Sequence, residues 1–210
     1  MEDVLALYAQ PFDPKRPLVC FDESNKEQHR AAMAPLPIEP GKPERFESTL
    51  ERNGVSNLFM FFAPLHNWRP VKVTARRTTV DWAQCMKDLV DVHFPEAEQI
   101  VVVQDNLNTH TPAALYTAFP AAEAKRIWDR LAFHYTPQHG SWLNMAEIEL
   151  SVLSRQCLKR RIPDQPTLIH ETQAWETRRN QSRTTVEWRF TTADARIKLK
   201  KLYPILNPSV

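Results

Sequence analysis

Three acidic residues stand where carboxylates could do chemistry. Asp105 follows Ile100 to Val103, a short unbroken apolar run that reads as a strand buried on both faces. Asp22 follows Leu18 to Phe21 in the same manner, with Glu23 beside it, and Glu147 falls in the helical pattern that begins near Ser141. A carboxylate at the C-terminal tip of a buried strand sits where open α/β sheets place ligands. An Asx turn is the ordinary reading of one such residue, and the same design on two strands is less easily dismissed as turn chemistry. Three converging carboxylates repel one another unless a cation neutralises them, and the hard ions Mg²⁺ and Mn²⁺ suit an all-oxygen donor set. Two such ions, about 3.5–4 Å apart, can activate a water or a 3′-hydroxyl and stabilise the leaving oxygen of a phosphodiester displacement. Glu149 rivals Glu147: two residues apart on a helix point about 200° from each other, so at most one faces the site. Glu23 is expected to be a neighbour and not a ligand, because successive strand residues face opposite sides.

The elements that must position these acids follow in chain order. The stretch before Pro17 reads as a lead-in, residues 1–16, with a short helical pattern and three prolines. After the Asp22 strand, Ser24 to Asn53 is polar and Pro-rich and reads as an irregular excursion closed by an Arg52-Asn-Gly54 turn. Val55 to Leu65 and Arg69 to Arg76 make a hairpin about His66-Asn67. Thr78 or Thr79 caps a helix to about Phe94, with Val80, Ala83, Met86, Leu89 and Val90 as its apolar face. The Asp105 strand comes next, then helical patterns at Ala113–Phe119 and Ala121–Leu131 and a short strand from Ala132 to Tyr135. Ser141 caps a helix to about Arg161 that carries Glu147 on its second turn. Thr167 to Arg183 is a further helix, and Ala193 to Leu202 is basic and amphipathic. This order predicts an RNase H-like α/β fold: a mixed sheet, three antiparallel strands then parallel strands, flanked by helices. The expected division is a catalytic domain at 17–162 and a basic helical C-terminal extension at 163–210 packed on it.

Composition narrows the function. With 3 Gly and 17 Pro there is no glycine-rich phosphate loop. No apolar run reaches a membrane span, and the three cysteines are too scattered for a disulfide frame or zinc site. The net charge of +2 hides an asymmetry: residues 151–210 hold 12 Lys and Arg against 5 Asp and Glu. A basic end beside an acidic remainder suggests a polyanion for the one and a cation for the other. Arg155, Lys159, Arg160, Arg161, Lys198, Lys200 and Lys201 are the candidate DNA phosphate contacts, with His139 in the turn before the Glu147 helix. Asn106, His110 and Asn144 are candidates for supporting the carboxylates, and Trp142 for fixing the helix start. Trp68, Trp82, Trp128 and Trp175 are read as core.

Cys20-Phe-Asp-Glu23, Gln104-Asp-Asn-Leu-Asn-Thr-His110 and His139-Gly-Ser-Trp-Leu-Asn-Met-Ala-Glu147 together resemble the three catalytic blocks of DDE transposases. The resemblance is to the bacterial insertion-sequence relatives of mariner-type elements, and it runs from about Pro17 to Pro204. It implies that Asp22, Asp105 and Glu147, not Glu149, are the catalytic and metal-binding residues, with Mg²⁺ as cofactor and Mn²⁺ able to substitute. It also implies cleavage at element ends and attack of the freed 3′-hydroxyl on target DNA, without a covalent protein–DNA intermediate. Self-association as a dimer or higher assembly and a cytoplasmic, nucleoid-associated location in bacteria follow from the same likeness. The interval from Asp105 to Glu147 is longer than this group usually carries. The N-terminal helix-turn-helix that usually reads element ends is not in the sequence. An RNase H-like nuclease without strand transfer and a truncated, non-catalytic DNA-binding or dimerising copy are the alternatives.

Overall fold

In the computed structural model, residues 1–32, 50–107, 110–138, 140–183 and 186–203 are described. The strands are β1 (Leu18–Ala31), β2 (Leu50–Phe62), β3 (Val71–Thr74), β4 (Ile100–Gln104) and β5 (Leu131–Tyr135). They form one mixed sheet in the order β3-β2-β1-β4-β5, as the RNase H-like reading requires. The pairs β1/β2 and β2/β3 are antiparallel, and β1/β4 and β4/β5 are parallel. The α-helices are α1 (Glu2–Tyr8), α2 (Thr79–Asp88), α3 (Pro112–Ala118), α4 (Ala121–Asp129), α5 (Met145–Leu153), α6 (Gln165–Gln181) and α7 (Thr192–Lys198).

Strand alternation splits the core in two. Leu18, Cys20, Val101 and Val103 face one side with Met60 and Phe62, and are covered by residues of α1, α5, α6 and α7. Val19, Phe21 and Val102 face the other side with Phe59 and Phe61, beneath α2, α3 and α4. The opening residues, expected as a lead-in, therefore include a packed helix: Val4, Leu5, Leu7 and Tyr8 are buried, and the Tyr8 hydroxyl donates to the Leu143 carbonyl at 2.6 Å. Leu168, Trp175 and Ala195 bring the C-terminal helices into the same cluster. Trp82 and Trp175 are core, as expected, and all three cysteines are buried and free.

Several local expectations are corrected. β1 does not end at Asp22: Ser24 to Ala31 continues it, paired with β2 as far as Ala31 against Leu50. The excursion read from Ser24 to Asn53 is thus strand at both ends, and residues 33–49 between them lie outside the described residues. Arg52-Asn-Gly54 is not a turn but part of β2. The register shifts between Glu27 and His29, leaving an extra residue on β2, and Gly54 takes φ +103° there. A β-bulge of this type needs a residue that tolerates the left-handed region. The strand expected at Arg69–Arg76 is only Val71–Thr74. Thr78 does cap α2, in a reciprocal capping box with Asp81, but Val80 is exposed while Trp82 and Cys85 are buried. The helix then widens into a π-helical turn at Leu89–His93. Asn144, not Ser141, caps α5, because residues 141–143 form a 3₁₀ turn. Glu147 consequently lies on the first turn of α5. A π-helical turn at Ser154–Leu158 follows, and α7 is continued by a 3₁₀ turn at Lys200–Leu202.

Candidate active site

Register sets the first two acidic residues at the same level of the sheet. Cys20 pairs with Val103 in the parallel β1/β4 ladder, so Asp22 and Asp105 each lie two residues beyond the last pair. Neighbouring strands are about 4.8 Å apart, and residues two apart share a face. By alternation Asp22 belongs to the face that carries Cys20, the face covered by α5, whereas the Asp105 carboxylate, beyond the end of β4, turns toward His110. Asp22 is half-buried in the running strand, whereas Asp105 is already in the loop after β4.

α5 is pinned against this point by its capping residue. The buried Asn144 side chain accepts from the Ala146 amide at 3.1 Å and donates from Nδ2 to the Phe21 carbonyl at 2.8 Å. One amide thus starts the helix and fastens it to the residue before Asp22. Glu147, three residues on, is exposed, while Glu149 is fully buried. Burial pushes the Asp22 carboxyl up to about 6. The Glu23 amide, donating to Asp22 Oδ1 at 2.7 Å, opposes this, and the charges of Asp105, Glu147 and Glu23 add to the rise. Asp22 is therefore the point at which the acids feel one another.

His110 lies on the other side of β1. Its buried ring stacks on Trp82 (5.7 Å between centroids) and meets Phe21 edge-on (5.6 Å). Its Nδ1 is 2.8 Å from Asp105 Oδ1, and its Nε2 is 3.5 Å from Glu23 Oε2. Burial alone would lower this imidazole, but its interactions with Asp105 and Glu23 outweigh it and hold the group up at about 9. Arg77 approaches Glu23 from outside at 3.4 Å. Sequence reasoning did not find Arg77; its only signal is a basic pair immediately before the cap of α2. Glu23 faces away from Asp22's side of the strand, as alternation requires.

Glu149 has its own partners. Its carboxylate meets Arg179 Nη2 at 2.8 Å and Arg69 Nε at 3.3 Å, and Arg69 and Glu149 are both 0% exposed. Asn180 accepts from the Arg69 backbone amide at 3.1 Å. Burial pulls the Arg69 guanidinium below its ordinary value; Glu149 counters this and Arg179 reinforces it. This buried cluster was invisible in the sequence except as an acid on a helix face that is otherwise apolar.

The remaining candidates scatter. Asn106 is exposed, and His139 lies outside the described residues. Arg155, Lys159, Arg160 and Arg161 are exposed along and after α5, with Arg160 paired to Glu171. Lys198 stands 3.5 Å from Asp194 and 5.6 Å above the Phe190 ring, and Lys200 and Lys201 are exposed. Among the described residues, no three His, Cys, Asp or Glu side chains stand close enough to enclose one metal ion. The donors are nonetheless all oxygen, and the strain at Asp22 is of the kind a divalent cation relieves. Among the described residues, no helix is long and apolar enough to cross a membrane.

A family model described as DDE superfamily endonuclease matches residues 17–169. No curated protein matches the chain. Among solved structures, the Mos1 strand transfer complex is similar with a TM-score of 0.55 and 12% identity over 84% of this chain and 51% of that one. The Mos1 mariner paired end complex with Mn gives 0.54 and 15%, over 84% and 52%. A pre-cleavage Mos1 transpososome gives 0.51 and 12%, over 87% and 58%. At these identities the likeness shows the fold. The chain spans about half the length of the solved chains it matches.

Proposed function

The chain belongs to the DDE superfamily of endonucleases, and from that premise we propose that it is the catalytic part of a transposase. It would cut DNA strands with divalent metal and join the freed 3′-hydroxyl to target DNA. The motif resemblance extends this to the bacterial insertion-sequence branch, and 17–162 is taken as the catalytic domain. The observation that supports the reading most is that the paired part of β1 and β4 ends two residues before both Asp22 and Asp105, with α5 fastened to β1 at Phe21.

Asp22, Asp105 and Glu147 would hold Mg²⁺ or Mn²⁺ through oxygen. Bound divalent ions supply Lewis acidity, activating a water or 3′-hydroxyl and stabilising the leaving oxygen. The protein's own residues prepare that arrangement. His110 orients Asp105 through Oδ1, and the Glu23 amide orients Asp22 through Oδ1. Asn144 fixes the origin of the helix that carries Glu147. The solved relatives are described as paired-end and strand-transfer complexes, one with Mn and one with Mg. By analogy, this chain is expected to take DNA ends, self-associate and use either ion.

The test is calorimetric titration of Mn²⁺ into the wild type and Asp105→Ala, followed by incubation with a pre-cut DNA end bearing a free 3′-hydroxyl. Binding by the wild type alone, with joining of the end to a target, is the expected result. Cleavage without joining would leave a nuclease. If the folded wild type binds no Mn²⁺ either alone or with DNA, the enzyme reading is lost.

A further inference from the structure

The exposed ridge of α5 beyond Glu147 has no part in the site so far. Glu147, Ser151 and Arg155 are spaced four residues apart. One helix face therefore carries a carboxylate, a hydroxyl and a guanidinium about 6 Å apart along the axis. Arg155 rides on the first residues of the π-helical turn and forms no ion pair or hydrogen bond with any described residue. Trp142 flanks the start of the ridge. It is 40% exposed, unlike the buried Trp82 and Trp175. Its ring is held in place by Trp188, stacked at 6.3 Å and 13°, and by Phe190 edge-on at 5.5 Å. Lys198 lies over Phe190, adding positive charge to the same flank. Trp142, Glu147, Ile148, Ser151 and Arg155 together line an open cavity of about 280 Å³.

These features have one chemistry in common. A rigid, solvent-facing indole is a stacking platform for an unpaired base, and an uncommitted guanidinium is a phosphate ligand. A hydroxyl between them can donate to a phosphodiester oxygen. The rise of one α5 turn is of the same order as the step between phosphates on an extended strand. A partner that is merely apolar would leave Arg155 unanswered, and a fully paired duplex would offer no base face to Trp142.

We propose that this ridge is a subsite for one unpaired DNA strand at the cleavage point. The nucleotide next to the scissile phosphate stacks its base on Trp142, and the following phosphates lie on Ser151 and Arg155. The inference rests on the reading of Glu147 as part of the cleavage site. It assigns Trp142 a substrate contact that sequence reasoning gave only to helix geometry. It also separates Arg155, which tracks the strand, from Arg160, which is spent on Glu171.

The experiment uses the full chain and two mixed-sequence oligonucleotides of equal length, one single-stranded and one duplex, with Ca²⁺ present to hold phosphate without turnover. 2-Aminopurine in the single strand reports stacking. The wild type should bind the single strand and quench the probe. Trp142→Ala should bind it about 10-fold more weakly, and Trp142→Phe should restore most of the loss. Arg155→Gln, an exposed change that leaves the fold untouched, should lower the salt dependence by about one phosphate contact. All three variants should still bind Mn²⁺. Wild-type affinity, quenching and salt dependence in both Trp142→Ala and Arg155→Gln would overturn the proposal while leaving the metal site standing. So would a loss of self-association in place of DNA affinity, which would make the ridge a contact between copies. Failure of the wild type to bind Mn²⁺ would instead remove the reading beneath it.

Discussion

Asp22 carries the cost of the site. The fold raises its pKa from an ordinary 3.8 to about 6, so the folded chain favours the protonated acid. Ion-free protein keeps that advantage below pH 4 and loses it as pH rises through 6, a fall of about 3 kcal/mol from this group. A divalent cation needs the carboxylate, so stabilisation by Mn²⁺ should grow over the same window. Thermal melts from pH 4 to 7, with and without Mn²⁺, should show both trends, and Asp22→Asn should flatten them. An Asp22→Asn profile identical to the wild type would refute the assignment of the strain to Asp22. At this scale the sequence was generous with the acids and silent about their company. Asp22, Asp105 and Glu147 stood out because strand ends and a known motif marked them. Arg77 and Arg69 did not, because an ion pair across the fold leaves no spacing to read.

α5 is the element on which the arrangement turns, and Asn144 holds it at both ends of one side chain. Asn144→Ala would remove the helix cap and leave the buried Phe21 carbonyl without its donor. The expected loss is about 1–3 kcal/mol in urea unfolding, together with weaker Mn²⁺ binding. A variant as stable as the wild type would mean that the 3₁₀ turn before α5 suffices to seat it. β4 was legible because its side chains are buried on both faces and composed accordingly. The outer half of β1 was not, because Ser24 to Ala31 has almost no apolar face. Its stability comes from β2, through hydrogen-bonded pairing and ion pairs such as Arg30 with Glu51 and Arg52 with Glu27. Such a polar ribbon has the composition of a loop and acquires its conformation from a partner. The cap of α5 was misplaced for a related reason: Ser141 and Asn144 are both good capping residues, and only the tie to Phe21 decides between them.

Across the whole molecule, the sheet and its helical layers match the order read from hydrophobic periodicity, and the described helices before and after the sheet are bound into the same core as the middle. α1, α6 and α7 all bury side chains against the face that carries Cys20 and Val103. The buried cluster of Glu149 with Arg69 and Arg179 shows what this means for the helix that bears Glu147. Glu149→Ala would leave Arg69 buried with its main counter-charge gone, and a loss of about 3–5 kcal/mol is expected in denaturant unfolding. A loss below 1 kcal/mol would show that water reaches the cluster freely. The family match ends at residue 169, yet Arg179 and Asn180 lie beyond it. The stretch after residue 169 thus supplies a counter-charge to a carboxylate buried in α5, so the helix that bears Glu147 is held in place from beyond the family match.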